Sequence, residues 1–409
     1  LSLTAEGASG ATGGSGPLDL TVGTLVATTD AGGIFLLESS ALIIGGTGVQ
    51  TTDNNAAIEI TLTAGDLTLQ DDITANGSGT VTLAVLGADA SLITGDTDDD
   101  IASTSGAISI TADRLALVGG TIASSGALTL QPNAAAESVG VSGGAGDFAL
   151  STAEIDLLTN GFSSITIGRS DSTALMTINA DTFLDPITFL MGGVSGDITT
   201  AGALVTTNLA MTFTAGTGTG GTFTQTAGAG NTIATGSGNI TITTDVIVLN
   251  TTADTITGTG TITLQPTTGT TTIGIGDSAT GTFDLDANEI AALTNGFSSI
   301  TIGASGGSGA IDINAITFTD PVTIRGGAMT VTALQAGANN ITLTSTSTID
   351  EGSDDTTVDI TTSGPLSLTA EGAIGASGGS GPLDLTVGTL VATTDAGGIF
   401  LLESSALII

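Results

Sequence analysis

Apolar and polar positions alternate along this chain in short bursts rather than in long periodic runs. An aliphatic–polar–aliphatic triplet recurs as Leu18-Asp19-Leu20, Ile58-Glu59-Ile60, Val81-Thr82-Leu83, Ile108-Ser109-Ile110 and Leu128-Thr129-Leu130. It continues as Ile165-Thr166-Ile167, Ile187-Thr188-Phe189, Met211-Thr212-Phe213, Ile240-Thr241-Ile242 and Ile262-Thr263-Leu264, and onward to Ile300, Val322, Ile341 and Leu366. Period-two alternation in β-branched residues predicts strands with one buried and one wet face, and a helical period of 3.6 is nearly absent. Most triplets lie 17 to 29 residues apart. Three short strands joined by tight Gly, Asn and Asp turns need about that much chain to complete one coil. The pattern therefore predicts an all-β fold, a parallel β-helix whose coils stack at about 4.8 Å. Ile165, Ile167, Ile240 and Ile242 should point inward, and Thr166 and Thr241 outward. A string of antiparallel sandwiches is the alternative. It would call for aromatic core anchors and domain boundaries, and aromatic residues make up only 3% of the chain.

A longer repeat overlies the triplets. Residues 366–409 copy residues 1–44 with two changes, Ser9 to Ile374 and Thr12 to Ser377, at an offset of 365. The expectation is one period of a tandem array plus the start of the next, with 1–409 as a single continuous solenoid that begins inside a repeat. The two copies should adopt the same conformation. Their open coil edges point to adjacent repeats of the same chain as partners, with end-to-end or lateral self-association.

Residues 128–189 and 262–324 form a second, internal repeat. Each copy carries an LQP segment, Val139-Gly140-Val141 or Ile273-Gly274-Ile275, a short predicted helix, NGFSSITIG, and F-x-D-P. Ser151 with Glu154, and Asp286 with Glu289, have capping-box spacing. Asn160-Gly161 and Asn295-Gly296 are the expected left-handed ends of those helices. Phe148, Phe162 and Phe183 match Phe283, Phe297 and Phe318, and are expected to seat each insertion as a satellite core. The insertion then acts as a lateral brace or, alternatively, as a docking bump.

Composition removes many functions. The chain has no Cys, His, Trp, Tyr or Lys, three basic residues (Arg114, Arg169 and Arg325), 40 carboxylates and a net charge of −37. Such a charge repels nucleic acid and anionic membrane surfaces. The longest apolar run, residues 34–44, is broken by Glu38 and is too short to span a bilayer. Neither a serine triad nor the basic and aromatic groups of a polysaccharide lyase or hydrolase can be assembled, so no catalytic or cofactor-binding residue is expected. Metal binding is the one site chemistry left. Asp96, Asp98, Asp99 and Asp100 form one acidic loop, and Asp350, Glu351, Asp354 and Asp355 another, and hard oxygen ligands suit Ca²⁺. The first is no EF-hand, because Ile101 and Ala107 stand where Gly and Glu are required. The bland expectation is a solvated acidic face with no metal site.

The LQP, Gly-x-Gly, capped helix, NGFSSITIG and F-x-D-P elements, taken together, resemble repeats in very large bacterial surface proteins of the filamentous haemagglutinin type. The resemblance covers most of residues 123–325. It implies a right-handed parallel β-helix, export from the cell, and a role in adhesion or surface structure. The family's N-terminal secretion domain is not among these residues, and no cell-binding triplet such as RGD carries over. The expected function is a structural fibre at the cell surface, or alternatively the stalk of a secreted adhesin. An ice-binding solenoid would need flat Thr ladders, which unequal coil lengths interrupt.

Overall fold

The triplets are strands, and successive triplets lie parallel and in register. The computed structural model describes all residues except 13–15, 217–219, 354–356, 378–380, 405 and 409. Parallel strands stack into a β-solenoid in each of two units, Leu1–Gly192 and Gly193–Ile409, and helix is confined to two short segments.

In the first unit, Ile34, Ile58, Val81, Ile108, Leu128, Ile165 and Ile187 stack one on the next, and Leu36, Ile60, Leu83, Ile110, Leu130, Ile167 and Phe189 form the neighbouring rung. All fourteen side chains are buried, whereas Thr82, Ser109, Thr129, Thr166 and Thr188 between them are half-exposed. Burying each aliphatic side chain contributes about 1.5–3 kcal/mol, so the ladder dominates local stability. Two further faces complete each coil. Leu42, Leu67, Leu92 and Leu115 stack on one, and Val49, Ile73, Ile101 and Ile122 on the other. The spacing of stacked partners on successive coils in this unit varies from 18 residues (Leu18 to Leu36) to 37 (Leu128 to Ile165).

The second unit repeats this arrangement. Met211, Ile240, Ile262, Ile300, Val322, Ile341, Leu366 and Leu390 stack in order, with Thr212, Thr241, Thr263, Thr301, Thr323 and Thr342 beside them on the outer side. A buried amide cluster fills one corner. Asn231 Nδ2 donates to the Thr200 carbonyl at 2.7 Å, Gln225 Nε2 donates to the Asn231 carbonyl at 2.9 Å, and Asn250 Nδ2 donates to the Gly228 carbonyl at 2.7 Å. Each side chain there pairs with backbone, which offsets the cost of burying it.

Among the described residues, the duplicated 44-residue segments fold alike. Ser2 opposes Val26 as Ser367 opposes Val391, Leu18 opposes Leu36 as Leu383 opposes Leu401, and Ser9 bridges Ile34 as Ile374 bridges Ile399. Even the hydroxyl pair Thr21–Ser39, at 2.7 Å, recurs as Thr386–Ser404 at 2.6 Å. Burial differs where the neighbouring coil differs. Leu18 is 38% exposed and Leu383 is 0%, while Ile34 is 0% and Ile399 is 44%.

Candidate functional site: a duplicated helical bracket

Each unit carries one insertion, built from the same parts. Helix α1 (Thr152–Ile155) and helix α2 (Ala287–Ala291) are too short to be stable alone. Their capping boxes form as the spacing predicts. The Ser151 hydroxyl and the Asp286 carboxylate accept the N–H groups of Glu154 and Glu289, and one oxygen of each Glu accepts the N-cap N–H, at 2.8 and 3.0 Å. The other oxygen reaches the preceding coil. Glu154 Oε1 accepts the Leu117 N–H at 3.0 Å, and Glu289 Oε1 accepts the Leu249 N–H at 2.8 Å. One carboxylate thus closes the helix and fastens it to a strand. Past the helix, Ile122 exchanges backbone hydrogen bonds with Leu157 and Thr159, and Ile256 does so with Ala292 and Thr294. The chain rejoins the stack at once, as a brace requires.

The expected Asn-Gly helix ends are not found. The helices stop at Asp156 and Ala292, both in right-handed conformation, and Gly161 and Gly296 lie beyond them at φ 134° and 139°. Their N–H groups donate instead to both carboxylate oxygens of Asp185 (3.0 and 3.3 Å) and of Asp320 (2.9 and 3.1 Å). These are the aspartates of the two F-x-D-P segments, and both are buried. The following prolines need no N–H partner, and their carbonyls accept from Ile165 and Ile300 at 2.8 Å. The two motifs are therefore halves of one contact between successive coils.

The extra length of the insertion comes from a step back. On one face Val139–Val141 pairs with Phe148–Ala149 on one edge and with Leu175–Ile178 on the other, so the later strand, Phe148–Ala149, is the one farther from Leu175–Ile178. Ile273–Ile275 pairs likewise with Phe283–Leu285 and Ile311–Ile313. The reversal is tight enough to need glycine. A Cβ on Gly140 would lie 2.1 Å from the Gly144 carbonyl oxygen, and one on Gly281 would lie 2.1 Å from the Gly274 nitrogen. Phe148 and Phe283 belong to these paired strands rather than to a satellite core. Phe162, Phe183, Phe297 and Phe318 are buried as well, and Phe183 meets Phe189 edge-on with ring centroids 5.5 Å apart. A cleft remains beside each helix. The one at Ile155, Leu158 and Phe183 has a volume of about 260 Å³, and its counterpart at Ile290, Leu293 and Phe318 about 400 Å³. Their aliphatic and phenyl walls suit an apolar group.

The acidic loops follow a different logic from the one their spacing suggests. Asp99 Oδ2 accepts the Asp96 N–H at 2.8 Å, Asp96 Oδ1 accepts the Asp98 N–H at 2.9 Å, and Asp100 Oδ1 accepts from Thr121 N–H and hydroxyl at 2.6 and 2.8 Å. These carboxylates are spent on separate backbone donors. Among the described residues no group of three carboxylates is placed to hold a metal ion. In the other loop, Asp350 Oδ2 accepts the Thr348 hydroxyl at 2.6 Å and Glu351 is buried, while Asp354 and Asp355 lie outside the described residues.

The same use of carboxylates recurs from coil to coil. Ser91 N–H donates to Asp66 at 2.8 Å, Asp100 N–H to Asp72 at 3.0 Å, Thr222 N–H to Asp197 at 2.8 Å and Thr268 N–H to Asp245 at 2.8 Å. Much of the acidity read as a solvated face therefore works as clasps on turn N–H groups, each a charge-assisted hydrogen bond. Asp72, which clasps Asp100, also sits among the like charges of Asp100, Asp71 and Asp99, and repulsion of this kind is screened by salt over ~8 Å at physiological strength. Raising NaCl is accordingly expected to raise the melting temperature. Melts in NaCl and CaCl₂ at equal ionic strength check this. No shift with either removes the repulsion, and a larger shift with CaCl₂ reveals chelation.

One acidic pair is set apart. Burial first, and then the neighbouring Asp113 carboxyl, push Glu137 up to about 7, with Asp147 adding to the rise. Asp113 Oδ1 and Glu137 Oε2 are both buried without a donor, and a proton on Glu137 supplies one. Burial also raises Asp72, Asp284 and Glu289. A carboxyl raised in the folded state binds more protons than in the unfolded chain. Its contribution is therefore complete below the ordinary value of 4.5 and is lost as pH rises through about 7. The melting temperature should fall between pH 5 and about 8, and Glu137→Gln should flatten the step near neutrality. An unchanged pH profile in that variant would assign the step elsewhere.

No family model, curated protein or solved structure matches this chain.

Proposed function

We propose that this chain is the structural repeat unit of a long extracellular or cell-surface fibre. The observation that carries the proposal is the shared strand register of residues 1–44 and 366–409, which lets one period continue into the next without a new kind of contact. The motif resemblance to filamentous haemagglutinin-type repeats supports the same reading and adds export to the surface. The clasped helices favour bracing over display, and no pair of catalytic groups is suggested by a chain without His, Cys, Lys or Tyr. The stalk of a secreted adhesin is the second reading, favoured by the apolar cleft that recurs beside α1 and α2. Electron microscopy of the producing cells, with gold-conjugated antibody to this chain, tests both. Long fibres labelled at regular intervals support the first reading, stalks with an unlabelled tip support the second, and label confined to the cell interior overturns both.

A further inference from the structure

The two units are built alike ahead of their helices except at one clasp. Gln131 Nε2 donates to Thr111 Oγ1 at 2.9 Å, and Gln265 Nε2 donates to Thr243 Oγ1 at 3.1 Å, which fixes the correspondence between the units. Two residues after each threonine stands a buried aspartate, Asp113 or Asp245. A turn after each glutamine then packs against that aspartate. In it the Thr271 N–H donates to the Thr268 carbonyl at 3.0 Å, and the Glu137 N–H to the Ala134 carbonyl at 3.3 Å. In the second unit the turn supplies donors. Asp245 Oδ1 accepts the Thr268 N–H at 2.8 Å and the Thr271 hydroxyl at 3.0 Å, and Oδ2 accepts the Thr268 hydroxyl at 2.6 Å. In the first unit Ala134 and Glu137 stand at those two positions, and neither carries an alcohol. Asp113 Oδ2 accepts the Asp89 N–H at 2.7 Å, while Asp113 Oδ1 and Glu137 Oε2 are buried without a donor. A carboxylate has no proton to give, and a carboxylic acid has one.

We propose that Glu137 makes the turn at 134–138 a proton-controlled clasp on the preceding coil, closed while its carboxyl is neutral and released when it ionises. The neutral carboxyl donates to Asp113 as the Thr271 hydroxyl donates to Asp245. Ionisation sends the proton to solvent and leaves two desolvated carboxylates in contact with no donor between them. The surrounding charges supply no substitute. On the preceding coil Asp89 gives its N–H to Asp113, and its carboxylate pairs with Arg114 at 2.9 Å. Asp147, just before the returning strand, adds negative charge. Arg169, on the following coil, attracts Glu137, but its guanidinium is taken by Asp171 at 2.5 and 3.0 Å and by the carbonyls of Pro132 and Asn133. Those bonds, with the Thr173 N–H on the Ala135 carbonyl at 2.8 Å, hold the start of the loop in either state. The release is therefore confined to residues 136–138. Its transition falls at about 7, whereas the hydroxyl-held turn at 268–272 stays closed over the same range. The melting temperature registers a proton for the whole chain, and the clasp places its effect in one turn of one unit. It does not depend on the fibre reading.

The chain has no Trp or Tyr, so a single introduced indole reports alone. Ala136→Trp places it on the first turn and Thr270→Trp on the counterpart, both at exposed positions. Acrylamide quenching of the full chain is followed from about pH 5 to about pH 9. With the reporter at 136, quenching should rise in one step centred near neutrality, and with the reporter at 270 it should stay flat. Glu137→Gln, whose amide donates at every pH, and Glu137→Thr, which copies the second unit, should each remove the step at 136. Asp113→Asn keeps an oxygen for the Asp89 N–H and turns its amide to Glu137, so the midpoint should drop by about one unit or more. Hydrogen exchange of the unsubstituted chain, expressed as protection relative to the intrinsic rate at each pH, should show loss at 136–138 and none at 270–272. That measurement stands even where an indole disturbs the turn. A step that survives Glu137→Gln, equal steps in both turns, or unchanged protection at 136–138 overturns the clasp.

Discussion

Replacing Ile240 with aspartate is expected to unfold its part of the second unit at a cost of several kcal/mol. Ile240 is 0% exposed and lies between Met211 and Ile262, on the face where parallel strands meet in register. Removing the aliphatic side chain forfeits about 1.5–3 kcal/mol of burial. The carboxylate that replaces it has no donor among the Met and Ile side chains, and a buried polar group without a partner adds a further few kcal/mol. Thr241, one residue away, points outward, so Thr241→Asp should change stability by about 0.5 kcal/mol or less. Hydrogen exchange would read the difference strand by strand. Protection in Met211–Thr214, Ile240–Thr243 and Thr261–Gln265 should collapse in the Ile240 variant and survive in the Thr241 variant. Similar loss in both would place the core on the wrong face.

Gly303→Ala is expected to be nearly as damaging, for a reason of backbone rather than burial. Gly303 ends the SITIG segment at φ 97°, and a Cβ there would lie 1.9 Å from the carbonyl oxygen of Arg325 on the next coil. Gly168, its counterpart in the first unit, has φ 100° and the same conflict with Leu190 at 2.1 Å. Neither the alanine nor a backbone carbonyl can give way without breaking the pairing of Ile302 with Ile324. We expect a loss of about 3 kcal/mol, combining conformational strain with local loss of the ladder. Gly306 supplies the control. Its φ is 71° but no atom lies within 4 Å of the added Cβ, so Gly306→Ala should cost about 1 kcal/mol. Equal melting temperatures for the two variants would mean that close approach between coils does not set the requirement for glycine.

What the sequence disclosed and what it withheld divide along contact range. Inward Ile165 and Ile240, outward Thr166 and Thr241, and the capping boxes at Ser151 and Asp286 all follow from neighbours within four positions, and all are present. The role of Gly161 was missed because its partner, Asp185, is 24 residues away on the next coil. A helix rule sees only Asn-Gly after an apolar run. The recurrence of NGF and F-x-D-P at one spacing in both copies was the available signal. The clasping role of Asp66, Asp72 and Asp197 escaped notice for the same reason, since nothing beside them in sequence distinguishes a clasp from a solvated carboxylate. The acidic loop at Asp96 shows the converse. Alternate carboxylates are adjacent in sequence, but they turn to different N–H donors and do not converge.

The matching registers of residues 1–44 and 366–409 also bear on how such a chain changes over generations. Genetic recombination between the two nearly identical stretches would delete or insert 365 residues at a stroke. The joined copy would keep Ile341–Ser345 against its first strand and Ile58–Leu62 against its Ile34–Glu38 strand, because those are the partners the two copies already have. No compensating substitution is needed to preserve the hydrogen-bonded ladder. Length becomes a heritable trait that varies in whole periods, and lineages can lengthen or shorten the molecule without passing through a misfolded intermediate form.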